Sequence, residues 1–515
     1  MADLLPNISV TLNQVKAPAA SSKVPINATI ILKALSGPIG ELVKVSSYTE
    51  AVKIFGLGNT KNLDGTPKTP ALYGIEQYLK TYNYVNIIRV ANTNNSDATN
   101  KAAAGTVSIT DHATEPSVSG EIISGTTNYK TEMYNGNTIK LVYNTTRTRL
   151  SISGTLDGVT YTTPLEVIDL STANGKDLET VLDKLVNNWN AMSTGITLEN
   201  KFKNKTTSDP AISVADITDT TEGKGVWGNI GNGNSGLVNI TDADVVGIFN
   251  TVIENPTTQI QDVVMAPEFR SYTVVNAGLA LKNSYFYIVA AQGTTLAEKQ
   301  TSIENYTPSD KGALYIPDGC KMGDDTITVP FEIAVLYAWA TTYNVNRYYA
   351  PAGVKRGTMD LVTDVVNNLS EVDSETMYNG DIPANPIRYL TNYGYTIFGQ
   401  KTMDPNQVFT NRINVSNLVN YIYIEGNRLL LPYLFEYTPI STFQKIYLDL
   451  DKMLSNLAIQ EILYDDYQII CDTSNNTPET LAKHELHATL AIRPINVTEY
   501  IFLDLTVTDE LGGEA

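Results

Sequence analysis

The 515-residue sequence has little cysteine, little positive charge and no long apolar run. Its two cysteines, Cys320 and Cys471, give neither a disulfide framework nor a zinc pattern. No apolar stretch approaches the roughly 18 residues of a membrane span, so we expect no membrane insertion. Lys and Arg number 36 against 55 Asp and Glu, a net charge of -19. Such a chain repels nucleic acid, whose affinity comes mostly from phosphate neutralisation, so no direct nucleic-acid binding is expected.

The length of the chain and the changes in composition along it predict several domains, because 515 residues exceed what one hydrophobic core holds. Buried strands such as "YVNIIRVA" (84–91) and "SYFYIVAA" (284–291) alternate with helices, which predicts an α/β core with a largely parallel sheet. A stretch rich in Thr, Asn, Ser and Gly interrupts this core. Four regions are expected: an N-terminal strand arm (1–20), the core (21–95 with 236–400), an inserted β-rich outer domain (96–235) and an α+β C-terminal region (401–515).

Both ends of the sequence carry short alternating apolar patterns. A lone strand cannot be stable by itself, so each end is expected to pair with another strand. Residues 17–23, "APAASSK", form a small-residue linker after the first pattern. The apolar positions are Ile8, Val10 and Leu12 at one end, and Ile501, Leu503, Leu505 and Val507 at the other.

Three patterns that could carry chemistry have better structural explanations. "GNGNSG" (231–236) satisfies G-x-G-x-x-G, but "LVNI" separates it from the next predicted helix, so a loop is favoured over a dinucleotide site. His484 and His487 would point to opposite faces of a strand, which disfavours a shared metal. Cys471 follows the apolar "YQII" and is predicted to be packed and inert. We therefore predict no catalytic residue, no metal and no cofactor.

The stretch "CDTSNNTPE" from Cys471 is instead predicted to end a strand, turn and start a helix. Asp472, Asn475 and Asn476 can bond their own backbone in a turn. Thr477 is a helix cap, and Pro478 suits the first helical position. Further upstream, Ser441 and Gln444 form a capping box that predicts a helix over 442–458. Its apolar face is expected to consist of Phe443, Ile446, Leu450, Leu454 and Leu457.

Four blocks of the sequence resemble the contractile-tail sheath family, and they follow one another in the same order as in that family. The C-terminal block consists of a strand, "CDTSNNTPE", and "ELHATLAIRPINVTEYIFLDLTV". The matching residues there are Cys471, Asp472, Asn475, Asn476, Thr477, Pro478, Pro494, Glu499, Tyr500 and Ile501. The other blocks are "ALSGPIGELVKVSSYTEAVKIFG" (34–56) with "IIRVA" (87–91), the "APAGVKRGT" stretch containing Gly353 and Gly357, and "FGQKTM" (398–403).

The resemblance implies a structural, non-enzymatic protein. Sheath subunits form a homo-oligomer of stacked rings or a helix around a tail tube protein, with baseplate and tail terminator proteins as further partners. Contraction drives the tube through a bacterial envelope during genome ejection, and the sheath is a virion component assembled in the host cytoplasm. In the family, terminal arms complete the small C-terminal sheets of neighbouring subunits, and a C-terminal helix faces the tube. Lys445 and Lys452 are the corresponding candidates for tube contact.

Alternatives remain open at this stage. The sheath of a cellular contractile injection system would have the same sequence features. A nucleotide-binding α/β enzyme would use the glycines of 231–236. A secreted adhesin would suit the Thr- and Asn-rich insertion, but the first residues, "MADLLPNISV", show no signal-peptide pattern.

Overall fold

The computed structural model describes residues 25–63, 65–111, 120–144, 148–156, 158–169, 172–211, 226–323, 326–406, 409–499 and 501. These residues form two compact units. The larger comprises the described residues of 25–341 and 351–411, and the smaller comprises 342–350 with the described residues from 412 to 501. Within the described ranges, no helix has the length and apolar character needed to cross a bilayer.

The larger unit begins with part of a central sheet. Its first elements are β1 (Ala28–Lys33), β2 (Leu42–Val45), α1 (Tyr48–Phe55), α2 (Pro70–Leu79) and β3 (Val85–Val90). Helix α1 begins after Ser47, whose hydroxyl accepts the Glu50 N–H at 3.2 Å. It ends at Gly56, whose φ of 85° favours glycine. The capping-box spacing of Ser47 and Glu50 and the glycine at position 56 predict these helix limits.

The insertion folds as a separate sheet. Its elements are β4 (Ala104–Asp111), β5 (Glu121–Lys130), β6 (Thr138–Tyr143), β7 (Arg149–Leu156), β8 (Val159–Thr162), β9 (Glu166–Val167), α3 (Gly175–Ala191), β10 (Ile196–Asn200) and β11 (Val226–Asn229). The strands run in the order β10-β5-β4-β11-β6-β7-β8, with β9 also on β7, and all pairs are antiparallel. The buried stripe of α3 shares a core with this sheet, as its spacing predicts: Leu178, Leu182, Leu185 and Trp189.

After the insertion the chain returns to the central sheet. The elements are α4 (Asp242–Ile248), β12 (Gln261–Met265), α5 (Tyr272–Leu279), β13 (Ser284–Ala290), α6 (Leu296–Ile303), β14 (Gly312–Tyr315), β15 (Gly319–Met322), β16 (Thr328–Pro330), α7 (Phe331–Val345), β17 (Val362–Val366), α8 (Glu371–Tyr378), β18 (Ala384–Asn385), β19 (Ile387–Leu390) and β20 (Gly394–Ile397). Strands β15, β16 and β17 form a small antiparallel sheet, and β19 with β20 forms a hairpin.

The central sheet has seven strands in the order β18-β14-β13-β12-β1-β3-β2. Every neighbouring pair is parallel except β2 with β3. Ile30 of β1 pairs with Ile87 on one side and with Met265 on the other. Strands β3, β12 and β13 are buried at every residue, so both faces of the sheet are covered.

The insertion enters and leaves this sheet at one point. Asn92, just after β3, donates its backbone N–H to the Gly236 carbonyl at 2.8 Å, and its own carbonyl accepts the Ala102 N–H at 2.8 Å. The Asn92–Gly236 hydrogen bond therefore joins the two residues that flank the insertion.

The smaller unit contains two long helices and a short sheet. Its elements are α9 (Ile413–Leu430), α10 (Ile440–Ile459), β21 (Gln468–Ile470), α11 (Pro478–Ala482) and β22 (Thr489–Ala491). The predicted apolar face of α10 is buried at all five positions. The predicted start of α10 is wrong: Ser441 lies inside the helix, which begins at Ile440, two residues before the predicted start at 442. Pro439 is the cap, because its fixed φ suits that position and its carbonyl accepts the Thr442 N–H at 2.8 Å.

Candidate functional site: a short sheet with an asparagine clamp

Strands β21 and β22 form an antiparallel sheet of three residues a strand, with Ile469 opposite Leu490. In the described part of the chain each pairs only with the other, so each keeps one open edge. A two-stranded sheet is marginal in water unless something else holds it. The half-buried Leu486, Ala488, Leu490 and Ile492 alternate along the segment that contains β22, and they pack against the core of this unit.

Two asparagines join the strands at the end near the turn. Asn475 donates through its side-chain amide to the Ile470 carbonyl at 2.8 Å and to the His487 carbonyl at 3.0 Å. Asn476 donates to the same His487 carbonyl at 2.9 Å and accepts the His487 N–H at 2.7 Å. Asn476 is 2% exposed, so its amide has little competition from water. We call Asn475 and Asn476 the asparagine clamp.

The remainder of "CDTSNNTPE" has the strand, turn and helix that the sequence predicts. The Asp472 carboxylate accepts the Ser474 N–H at 2.7 Å, and hydrogen bonding from the Ser474 side chain and from this N–H lowers the pKa of Asp472. Thr477 caps α11 by accepting the Thr480 N–H at 3.4 Å, and Pro478 is the first helical residue. The stretch therefore makes the turn and places the clamp between the strands.

The cysteine and histidines near the clamp do not form a reactive pair. Cys471 is 5% exposed and belongs to the core, and burial raises the pKa of its thiol. His487 has its ring at 3.3 Å from Glu485, and His484 follows α11 with a φ of 62°. Across the described ranges, no three His, Cys, Asp or Glu side chains are grouped as metal ligands.

The N-terminal sequence blocks meet at a buried arginine. Arg89 of "IIRVA" is fully buried and donates to the Gly37 carbonyl at 2.7 Å and to the Ser235 carbonyl at 2.6 Å. Gly37 belongs to the "SGPIG" turn, and Ser235 belongs to the glycine-rich loop. Ser235 also donates its hydroxyl to the Leu35 carbonyl at 2.7 Å. Burial lowers the pKa of Arg89 to about 10.

The glycine-rich loop uses its backbone amides within the protein. Gly231 donates to the Thr106 carbonyl at 2.9 Å, Gly233 to the Asn135 side chain at 3.1 Å, and Gly236 to the Asn234 side chain at 2.8 Å. A phosphate-binding loop needs these N–H groups directed at its ligand. The loop therefore gives no support to the nucleotide-binding alternative.

Gly353 and Gly357 form a tight turn beside β20. Gly353 has a φ of 75° and donates to the Ile397 carbonyl at 2.9 Å, while Gly357 donates to the Gly353 carbonyl at 2.7 Å. A Cβ at Gly357 would lie 2.8 Å from the backbone of Ala352 and Gly353. Gly353 is therefore favoured for its positive φ, and Gly357 is needed because a Cβ would clash with the backbone.

The proposed tube-facing lysines lie on the solvent side of α10. Lys445 and Lys452 are both exposed, and Leu448 between them is 62% exposed. Two aspartates of the same helix are hydrogen-bonded to tyrosines: Tyr433 donates to Asp449 and Tyr467 to Asp451, both at 2.7 Å. The exposed stripe of α10 thus carries two lysine cations and the apolar Leu448, and the half-buried Asp449 and Asp451 carboxylates lie on the same helix.

The proposed strand-pairing residues lie mostly outside the described residues. This is the case for Ile8, Val10, Leu12, Leu503, Leu505 and Val507. Ile501 is described and is 87% exposed.

Sequence reasoning missed two features of the smaller unit. The connection from α9 to α10, together with the first residue of α10, exposes five large apolar side chains, which we call the apolar loop: Leu431, Leu434, Phe435, Tyr437 and Ile440. Phe435 adopts a φ of 67°, unusual for a bulky residue. The second feature is an ion pair between Arg412 and Glu499. Because 87 residues separate the two partners, no local sequence pattern indicated that they would meet.

Known proteins with similar sequences are phage tail sheath proteins. Over 202 residues, or 38% of this chain, identity to the tail sheath protein of Enterobacteria phage T4 is 29%, and the match spans 30% of that protein. Over 276 residues, or 52% of this chain, identity to the tail sheath protein of Vibrio phage KVP40 is 25%, spanning 40% of that protein. The chain thus spans less than half the length of either relative. No family model matches it.

A solved structure extends the similarity to nearly the whole chain. The contracted PVC sheath complex of an extracellular contractile injection system aligns over 98% of both chains, with a TM-score of 0.53 and 12% identity. At this identity the alignment shows the fold alone. The chain is therefore similar in sequence to phage tail sheath proteins over part of its length and has the fold of a contractile sheath subunit, which confirms the family resemblance of its motifs.

Proposed function

We propose that this chain is the structural subunit of a contractile tail sheath. Copies polymerise as stacked rings or a helix around a tail tube protein, between baseplate and tail terminator, in the host cytoplasm. In the virion the sheath contracts and drives the tube through a bacterial envelope for genome ejection. The observation that carries the proposal is a sheath fold over 98% of the chain, supported by the sequence match to two phage tail sheath proteins.

The short sheet is the proposed site where copies join. Its two open edges match the two terminal segments that need partners. Ile8, Val10 and Leu12 of one copy, and Ile501, Leu503, Leu505 and Val507 of another, add strands by main-chain hydrogen bonding. The asparagine clamp fixes β21 against β22, so that each incoming strand meets a preformed edge. The small-residue linker 17–23 lets the joined units move without losing these bonds.

The remaining regions have separate proposed roles. Residues 21–95 with 236–400 form the sheath core, 96–235 form the outer domain, and 401–515 form the assembly domain. Lys445 and Lys452 contact the tube through the exposed stripe of α10. The apolar loop is a surface of the kind that partners cover, because large exposed apolar patches mark interaction sites.

The test is a substitution in the first pattern of the chain. Ile8→Asp, Val10→Asp and Leu12→Asp together should leave a folded monomer that forms no long hollow tubes under the electron microscope. The matched control is Ser9→Asp with Thr11→Asp, which adds charge to the same segment on the opposite strand face. Normal sheaths from the triple variant would show that strand donation is not how copies join.

The sheath of a cellular contractile injection system is the second candidate. Its support is the structural similarity to the sheath of such a system. Both candidates assemble in the same way, and they differ in whether the particle carries a genome. Electron microscopy of native particles distinguishes them, because a DNA-filled head occurs only with the first.

A further inference from the structure

An ion pair ties the segment after β22 to the start of α9. Arg412, the residue before α9, donates from Nε and Nη2 to the two carboxylate oxygens of Glu499, at 2.5 and 2.9 Å. The two side chains are 28% and 18% exposed. A bidentate arginine–carboxylate pair of this kind fixes the relative orientation of the two side chains as well as their distance.

The same segment is held at a second place nearer β22. Arg493 accepts the Tyr464 N–H through its carbonyl at 3.0 Å, and Ile495 donates its N–H to the Ile462 carbonyl at 3.0 Å. Residues 496–498 are exposed, and the ion pair at Glu499 follows. Ile501 is then 87% exposed. The backbone is therefore held at 495 and again at 499, immediately before the proposed donated strand.

We infer that the Arg412–Glu499 pair is an anchor that sets where the C-terminal segment leaves its own subunit. This rests on the proposed function, because it concerns how the segment reaches a neighbouring copy. With the anchor, Ile501 lies two residues from a fixed point, a reach of about 7 Å. Without it, the preceding backbone hydrogen bond of the described segment is that of Ile495, and six residues reach about 20 Å.

A longer tether lowers the effective concentration of the C-terminal strand at the sheet edge that it would join. Effective concentration falls steeply with tether length when the linker exceeds the span it must cover. Release of the anchor should therefore raise the protein concentration needed for polymerisation by roughly tenfold. A merely local stabilising contact would instead change unfolding and leave that threshold unchanged.

The test compares charge reversals with their combination in the full chain. Arg412→Glu and Glu499→Arg should each raise the assembly threshold about tenfold, measured by pelleting of tubes. The double variant, with the charges exchanged, should recover most of the loss. The control is Arg428→Glu, which breaks an exposed ion pair with Glu425 on the same helix and should leave the threshold unchanged. If a reversal prevents folding, Glu499→Gln removes the charge at similar shape and has the same expectation.

The outcomes separate the anchor from the function. If wild type forms tubes and the single reversals do so at the same concentration, the anchor is wrong and the sheath function stands. If wild type forms no tubes at any concentration with its tube protein, the proposed function itself is wrong. A raised threshold that the exchanged pair does not restore would assign the effect to Arg412 or Glu499 individually and overturn the anchor.

Discussion

Removal of the asparagine clamp should loosen the short sheet by a predictable amount. Asn476→Ala loses four hydrogen bonds: to the Asp472 carbonyl at 3.1 Å, to Asn475 Oδ1 at 2.9 Å, to the His487 carbonyl at 2.9 Å, and from the His487 N–H at 2.7 Å. At about 1 kcal/mol net for each bond, the free energy of local opening falls by about 4 kcal/mol. Amide hydrogen exchange in β22 should then be roughly 1,000-fold faster in the unassembled chain.

The control lies in the same segment. Asn496 is exposed, so Asn496→Ala removes an asparagine at the surface and should leave exchange in β22 unchanged. Exchange in β13 of the larger unit should be the same in all three proteins, because the loss is local. If Asn476→Ala exchanges no faster in β22 than the control does, the clamp does not hold the sheet, and the argument from its hydrogen bonds is wrong.

Two further perturbations test buried and exposed charge. Burial raises the pKa of Glu76, whose carboxylate accepts the Gly58 N–H at 2.7 Å, from 4.5 to about 7. The folded state then binds the proton more tightly than the unfolded state, so the free energy of unfolding should fall as pH rises from 4.5 to 7. Urea unfolding should show this slope in wild type and a flatter one in Glu76→Gln; equal slopes would contradict it. Reversal of both Lys445 and Lys452 to Glu should preserve folding but weaken sedimentation with the tube, unlike the exposed Lys483→Glu; unchanged sedimentation would remove these lysines from the interface.

Local rules were sufficient for the parts of the structure that neighbouring residues determine. The apolar stripes of α3 and α10 follow from helical spacing, and the turn at Asp472 follows from side chains that bond their own backbone. The start of α10 shows the limit of such rules. Two local signals competed there, and Pro439 decided the outcome over the Ser441 capping box.

Contacts between distant residues could not be predicted from spacing. Arg89 meets Ser235 across 146 positions, and Arg412 meets Glu499 across 87. Even the asparagine clamp, which spans 11 or 12 positions, requires β21 and β22 to be in place first. Sequence reasoning selected Asn475 and Asn476 as turn formers, but their bonds across the strands depend on the tertiary arrangement.

Because Asn92 and Gly236 are adjacent, the insertion between them can be exchanged for another domain. Two backbone positions already in hydrogen-bond contact can accept a short connector, or a foreign domain with neighbouring termini, without any change to the path of the central sheet. The graft must keep the Ser235 carbonyl, which accepts a hydrogen bond from the buried guanidinium of Arg89, and must replace contacts such as the Lys68–Glu132 ion pair. In the proposed sheath, a graft that retains Ser235 and the glycine after it would present many copies of a chosen domain along one filament.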